Sequence, residues 1–185
     1  MKKQFIENGA YKPEFESDNC GVGFIVDTKG RKSHKMIDDG LTMLNNMAHR
    51  GAVGYDDQTG DGAGLKFQIP HDFFKIELGD DLPSEGDYAV GMFFLPLTPD
   101  IRFECMATIE RVIKESRLEF IQWRNVPINT TSAGSYARST LPEIHQIFIG
   151  RMNIPKNDFE KELFLLRKKI DIEISKIKSE HIENF

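Results

Sequence analysis

Residues 17–27 read Ser-Asp-Asn-Cys-Gly-Val-Gly-Phe-Ile-Val-Asp, and the fold of the chain turns on them. Cys20 heads a short apolar run, Gly21 to Asp27, closed by Thr28-Lys29-Gly30. Such a run bounded by turn residues predicts a buried strand followed by a turn. A cysteine beside a buried strand is ordinarily a small core hydrophobe. It becomes a nucleophile only where its pKa is lowered or a base stands next to it.

Outward from that stretch, strand-like and helix-like patterns mix. Apolar residues at Met36, Ile37, Leu41, Leu44, Met47 and Ala48 have helical spacing between Ser33 and His49. Residues 56–64 form a glycine-rich loop that leads into LKFQIP, a strand terminated by Pro70. An acidic loop over 77–87 precedes a second strand, YAVGMFFL. Asp100 is placed to cap a helix whose stripe is Phe103, Met106, Ile109 and Ile113. EFIQWRNV (119–126) and IHQIFI (144–149) read as strands. A last helix opens at Asn157 with Phe159, Leu163, Leu166, Ile170 and Ile177 along one side. Hairpin-like neighbours alongside crossovers indicate an α+β or layered domain, not a strict βαβ alternation.

Bulk properties narrow the functional classes. The 185 residues suffice for one sizeable core, and 39% apolar with 29% charged residues is ordinary globular composition. A formal charge of -5 argues against a phosphate-backbone partner, so no nucleic acid is expected. No apolar run approaches the ~20 residues of a membrane helix, so no membrane partner is expected either. Residues 1–19 lack an apolar signal core and are too acidic for a transit peptide, which makes the cytoplasm the expected location. The only cysteines, Cys20 and Cys105, are far apart, and the five histidines have no ligand spacing; no metal site is expected. Asn129-Thr130-Thr131 is then a chance glycosylation sequon.

Gly60-Asp61-Gly62-Ala63-Gly64 resists the obvious assignments. It lacks the Lys-Ser/Thr of a phosphate loop, and it precedes a strand where a dinucleotide fingerprint needs a helix. A calcium loop forced onto Asp57, Thr59 and Asp61 fails at its twelfth position, where Gln68 stands for the bidentate glutamate. Close main-chain packing beside a site is the expectation for these glycines. For Cys105, inside a predicted helix, the expectation is core packing.

CGVGFIVD (20–27), followed by MAHRGAVGYDDQTGDGAGLKFQIPHDFF (47–74), resembles the opening of the glutamine amidotransferase domain of glutamate synthase, of the large-subunit or ferredoxin-dependent type. Cys20-Gly21-Val22-Gly23 fits loosely the Cys-Gly-(Ile/Val)-x-Gly start of class II amidotransferases, with its second glycine one position early, and the HRGAV…TGDGAG block narrows the likeness to the glutamate synthase branch. Matches continue through Trp123-Arg124-Asn125-Val126-Pro127 and residues 142–148.

The resemblance implies an N-terminal-nucleophile (Ntn) hydrolase-like fold, a four-layer α-β-β-α sandwich. It implies that residues 1–19 are a propeptide-like segment and that 20–185 are the N-terminal portion of a type-2 amidotransferase domain. Cleavage between Asn19 and Cys20 would free an α-amine titrating near ~7.7–8.0, able to take the thiol proton. Cys20 is then the catalytic nucleophile that hydrolyses L-glutamine. Arg50 fits the family arginine that grips the substrate α-carboxylate through two parallel hydrogen bonds, with His49 bracing it. The family's downstream Asn-Gly oxyanion pair and its later aspartate do not occur here, so the sandwich is expected to be incomplete at its C-terminus and the chain inactive alone. A full-length parent would pass ammonia to 2-oxoglutarate using FMN and an iron–sulfur cluster, with no cofactor in this chain. Its partners would be the remaining synthase domains and a small subunit or ferredoxin. Two rivals stand beside this one: a stand-alone amidotransferase subunit completed by a partner chain, and a non-catalytic α+β relic.

Overall fold

A computed structural model describes residues 21–48, 58–60 and 62–180. These residues fall into two compact units. One holds the described residues up to Gln68 together with Thr130–Thr140; the other holds Ile69–Asn129 and the described residues from Leu141 onward.

The larger unit is built on three antiparallel strands, β1 (Tyr88–Leu95), β2 (Glu119–Asn125) and β3 (Glu143–Gly150), in the order β1-β3-β2. β3 pairs with both neighbours, so the crossover from β1 to β2 skips over the position that β3 later fills. The register runs from Tyr88 opposite Gly150 to Leu95 opposite Glu143. On β2 an irregularity between Phe120 and Gln122 leaves Ile121 without a partner, which is how a bulge inserts one extra residue. Gly91 lies opposite Ile147, and a Cβ there would stand 2.9 Å from Ile147 Cγ2. Glycine is needed at that position for close approach.

Alternation along β3 sends its side chains to two cores. Ile147 and Ile149 face the larger core, made with α3 (Pro99–Lys114) and α5 (Lys156–Glu180). Phe148 faces the other way and packs edge-on against Phe74 of α2 (His71–Leu78), with Tyr88 beside it. α3 buries Ile101, Cys105, Ile109, Val112 and Ile113, and α5 buries Phe159, Leu166, Ile170 and Ile177. Each of the aliphatic and aromatic side chains among them gains roughly 1.5–3 kcal/mol on leaving water. Trp123 ties sheet to helix, its indole N–H donating to Glu110 Oε1 at 2.9 Å. Arg111 of α3 reaches Glu173 of α5 at 3.2 Å.

Local chemistry sets the ends of these elements. Pro99 opens α3, where its missing N–H costs nothing. Ser116 closes α3, donating to the Ile113 carbonyl at 2.6 Å and accepting from the Leu118 N–H at 3.0 Å. Arg151 pins the junction of β3 and α5. Its guanidinium donates to Asp87 Oδ1 from Nη2 at 2.7 Å and also reaches the Ile154 carbonyl.

Several expectations need correction. Residues 21–27 and 65–70 form no strand: among the described residues the only multi-residue ladder is β1-β3-β2. Strand propensity is realised only where a second strand takes up the backbone groups, and Val22 and Phe24 are exposed instead of buried. HDFFKIEL is a helix, directly after Pro70, and it takes the first residues of the expected acidic loop. Thr98, not Asp100, is the N-cap of α3, and Phe103 points outward while Cys105 and Val112 turn in. The α3 stripe is therefore rotated from the expected one. The helix over 33–49 is observed as α1 (Lys35–Asn46), a short helix α4 (Ser135–Ser139) lies between β2 and β3 in the chain, and the remaining strands and final helix match within two residues.

Candidate active site

The residues expected to carry the chemistry, Asn19, Cys20 and Arg50 with His49 beside it, lie outside the described residues. The described residues that adjoin them, Gly21 after Cys20 and Ala48 before His49, belong to the smaller unit.

Gly21 to Asp27 leads away from Cys20 into a tight turn. Asp27 organises it: its carbonyl accepts from the Gly30 N–H at 2.9 Å and its carboxylate from the Lys29 N–H at 2.7 Å. The Arg31 guanidinium closes on the second carboxylate oxygen through Nε at 3.0 Å and Nη2 at 2.9 Å. These bonds, the Arg31 contact foremost, hold the Asp27 carboxyl below the usual carboxylate range. Gly30, at φ 68°, supplies the left-handed residue the turn needs.

α1 runs toward Arg50 and ends at Met47, whose N–H donates to the Met43 and Leu44 carbonyls at 3.1 Å each. Two contacts fix α1 against its surroundings. The Met43 side chain lies over Gly23, its sulfur in the space a Cβ would take. Gly40, the buried glycine of the helix, faces Leu65, and a Cβ there would meet Leu65 Cδ2 at 3.0 Å. A glycine in mid-helix costs about 0.5–1 kcal/mol relative to alanine, and the Leu65 contact is what it allows here.

The glycine-rich segment differs from expectation. Among the described residues nothing lies within 4 Å of where a Cβ would stand at Gly62 or Gly64, so packing against those residues does not explain them. Gly62 is required for its φ of 85°. Nearby, the Thr59 hydroxyl oxygen is buried without a hydrogen-bond partner among the described residues.

Cys105 is as expected a core residue. It is buried in the α3 interface, and burial, reinforced by Glu104, pushes its thiol pKa up, away from nucleophilic character. No group of three or more His, Cys, Asp or Glu residues suited to a metal ion occurs among the described residues. None of the described helices is long and apolar enough to cross a membrane.

The motif HRG…TGDGAG could be found only by resemblance, because neither its spacing nor its composition matches a general phosphate or metal motif. Comparison with known proteins gives that resemblance weight. The family of class-II glutamine amidotransferases matches residues 20–184, beginning at the cysteine itself. The chain is 39% identical over 166 residues to the glutamate synthase [NADPH] large chain of Bacillus subtilis (strain 168), covering 88% of this chain and 11% of that one. It is 37% identical over 182 residues to glutamate synthase [NADH] of Saccharomyces cerevisiae, covering 91% of this chain and 8% of that one. With ferredoxin-dependent glutamate synthase 1, chloroplastic/mitochondrial, of Arabidopsis thaliana the identity is 37% over 163 residues, with 84% and 10% covered. The chain thus spans about a tenth of the length of these relatives. A family match over nearly the whole chain settles its membership: the chain belongs to the class-II glutamine amidotransferases.

Proposed function

We propose that the chain is the glutaminase part of a glutamate synthase, releasing ammonia from L-glutamine for glutamate formation from 2-oxoglutarate. The observation that carries this is the family match opening at Cys20, joined to relatives named as NADPH, NADH and ferredoxin-dependent glutamate synthases. Residues 1–19 are a prosegment, and cutting Asn19–Cys20 makes Cys20 the first residue. Its α-amine takes the thiol proton, and the thiolate attacks the side-chain amide carbon of glutamine. The tetrahedral intermediate collapses as the amine returns the proton, expelling ammonia and leaving a γ-glutamyl thioester. Water, deprotonated by the same amine, attacks the thioester, releasing glutamate and restoring the thiol. Arg50 orients the substrate by holding its α-carboxylate.

In the fold we propose, the three-stranded sheet is part of an α-β-β-α sandwich with α3 and α5 as one outer layer. Those two helices cover one sheet face, while Met92 and Phe94 on the opposite face remain exposed, as residues awaiting a second sheet would. FMN and an iron–sulfur cluster belong to the rest of the parent, along with the small subunit or ferredoxin, and the cytoplasm is the proposed location.

Kinetics in the full-length parent test the proposal. Cys20→Ala should abolish glutamine hydrolysis, and Arg50→Lys should raise the glutamine KM about tenfold or more, because a point charge cannot reproduce the two-bond grip. Hydrolysis retained by Cys20→Ala overturns it.

A further inference from the structure

β1 and β2 both run antiparallel to β3, so they are parallel to each other, and the crossover between them passes through α3 and straddles β3. β3 then leads into α5, which packs beside α3 on the same sheet face. Crossovers between parallel strands are almost always right-handed. β3 points opposite to β1, so a crossover of the same hand on the same face travels the other way across the sheet. A strand parallel to β3 that follows α5 is thereby directed past β1, not past β2. That arrangement is the β-α-β-β-α-β motif, of which the larger unit holds the first five elements.

The two sheet edges differ accordingly. β1, YAVGMFFL, carries no charged residue and keeps an unbroken register with β3. β2 has Glu119, Arg124 and the irregularity between Phe120 and Gln122, the devices that keep an edge from pairing. Beside β1, Phe93, Leu95, Cys105, Ile109, Ile170 and Ile174 line an apolar groove of about 350 Å³. It has room for several side chains, since one water takes about 30 Å³. Its lining comes from β1, the Pro96 that follows, and the two helices, with none from β3 or β2 among the described residues, which puts it on the outer side of β1. α5 runs along β1 from the Tyr88 end, where Gly150 lies opposite, to the Leu95 end, where Ile170 and Ile174 meet the groove. Chain leaving α5 therefore re-enters at the Leu95 end and runs antiparallel to β1.

We propose that the free edge of β1 seats a fourth antiparallel strand, supplied by the polypeptide that follows α5 in the longer parent. Residues opposite each other on neighbouring strands share a face, and Phe93 and Leu95 face the larger core. The residues opposite those two are therefore apolar, and they fill the groove over Cys105. The inference rests on this chain being one part of a longer parent; the relatives it matches are about ten times its length.

The test is amide hydrogen exchange on three proteins: the 185-residue chain, the full-length parent, and the chain extended by about 20 of the parent's following residues, enough for a connection and a strand. Alternate N–H groups of β1 point away from β3. Those that exchange freely in the 185-residue chain should slow about a hundredfold in both longer proteins, while exchange across Glu119–Asn125 changes less than about threefold. Protection gained at β2 in place of β1, or at neither, overturns the proposal. Protection of β1 in the parent but not in a folded extended chain assigns the edge to a remote segment and overturns it too. So does protection that the 185-residue chain acquires by itself as its concentration rises, which assigns the edge to a second copy. Should the extended chain fail to fold, Phe94→Cys in the parent, combined with single cysteines scanned through the segment after α5, decides the matter. A disulfide that forms at one register position supports the strand, and none at any position overturns it. Glutamine hydrolysis by the same parent separates the two levels. Protected β1 in a parent that does not hydrolyse glutamine keeps the strand and defeats the functional reading, whereas hydrolysis with β1 unprotected defeats the strand alone.

Discussion

Ile147 sits at the centre of the larger unit, fully buried on β3 between Gly91 of β1 and Trp123 of β2. Replacing it by alanine deletes three carbons from the core. Transfer alone accounts for about 2.4 kcal/mol at roughly 0.8 kcal/mol per buried carbon. The residual void adds to that, because isoleucine-to-alanine changes in cores cost about 2–5 kcal/mol depending on collapse. Collapse is hindered on one side: Gly91 has no side chain to move in, and even a Cβ there would stand only 2.9 Å from Ile147 Cγ2. On the other side Trp123 is held by its hydrogen bond to Glu110 and by an edge-on contact with Phe93 at 5.5 Å. The cost therefore belongs in the upper part of the range, about 3–5 kcal/mol. Trp123 is the single tryptophan of the chain, so urea unfolding followed by its fluorescence reads this sheet directly. The midpoint should fall with an unchanged slope, and Tm should drop by about 6–20 °C for a domain of this size. A control at the exposed Ile76 should stay within about 0.5 kcal/mol of wild type. A loss below about 1 kcal/mol for Ile147→Ala would refute the assigned packing.

Other consequences follow from polar contacts and backbone conformation. The Arg151 guanidinium holds the Asp87 carboxyl below its ordinary range, so this contact stabilises the fold above the unfolded carboxylate pKa of about 3.9 and is lost as pH falls through the lower folded value. Asp87→Asn should therefore be less stable than wild type near neutrality, with the gap closing in urea titrations as pH is lowered below about 4; a gap independent of pH would contradict the contact. Arg124 lies over the Phe73 ring at 5.4 Å and donates to Glu77 at 2.7 Å and Gln146 at 3.1 Å, tying α2 to the sheet. Arg124→Ala should cost about 1 kcal/mol, discounted because Glu77 is solvent-accessible, and should raise amide exchange across His71–Leu78 more than across α5. Uniform exchange would argue against that tie. Gly62→Ala should destabilise by about 1–2 kcal/mol through its left-handed φ, whereas Gly64→Ala should be near neutral; equal effects in thermal melts would contradict the assignment.

Where the sequence was legible, the periodic signal was long or both faces were buried. YAVGMFFL and IHQIFI read as strands because β3 is covered on both sides, and the last helix read correctly because Phe159, Leu166, Ile170 and Ile177 hold one face of a 25-residue helix. GVGFIVD and LKFQIP misled because apolar composition signals strand propensity but not the presence of a pairing partner. HDFFKIEL was hidden by its brevity, with only Phe74 buried. On α3 Phe103 turned out and Val112 turned in, against the expected stripe, while Cys105 turned in as its place in the helix suggested. The site was legible in a different sense. No physical pattern singles out Cys20 or Arg50, and family resemblance supplies both. The close seat of Gly23 on Met43 depends on which face of α1 meets the segment, and pattern alone does not give that.

The central claim is that Cys20 acts as an N-terminal nucleophile on glutamine, and its most direct test is mass spectrometry of active, natively matured enzyme after reaction with a glutamine-shaped diazoketone. The account predicts a peptide that begins at Cys20 and carries the adduct on its sulfur, with labelling and activity lost together. Active enzyme that retains Asn19 before Cys20, or that carries the adduct on another residue, would contradict it.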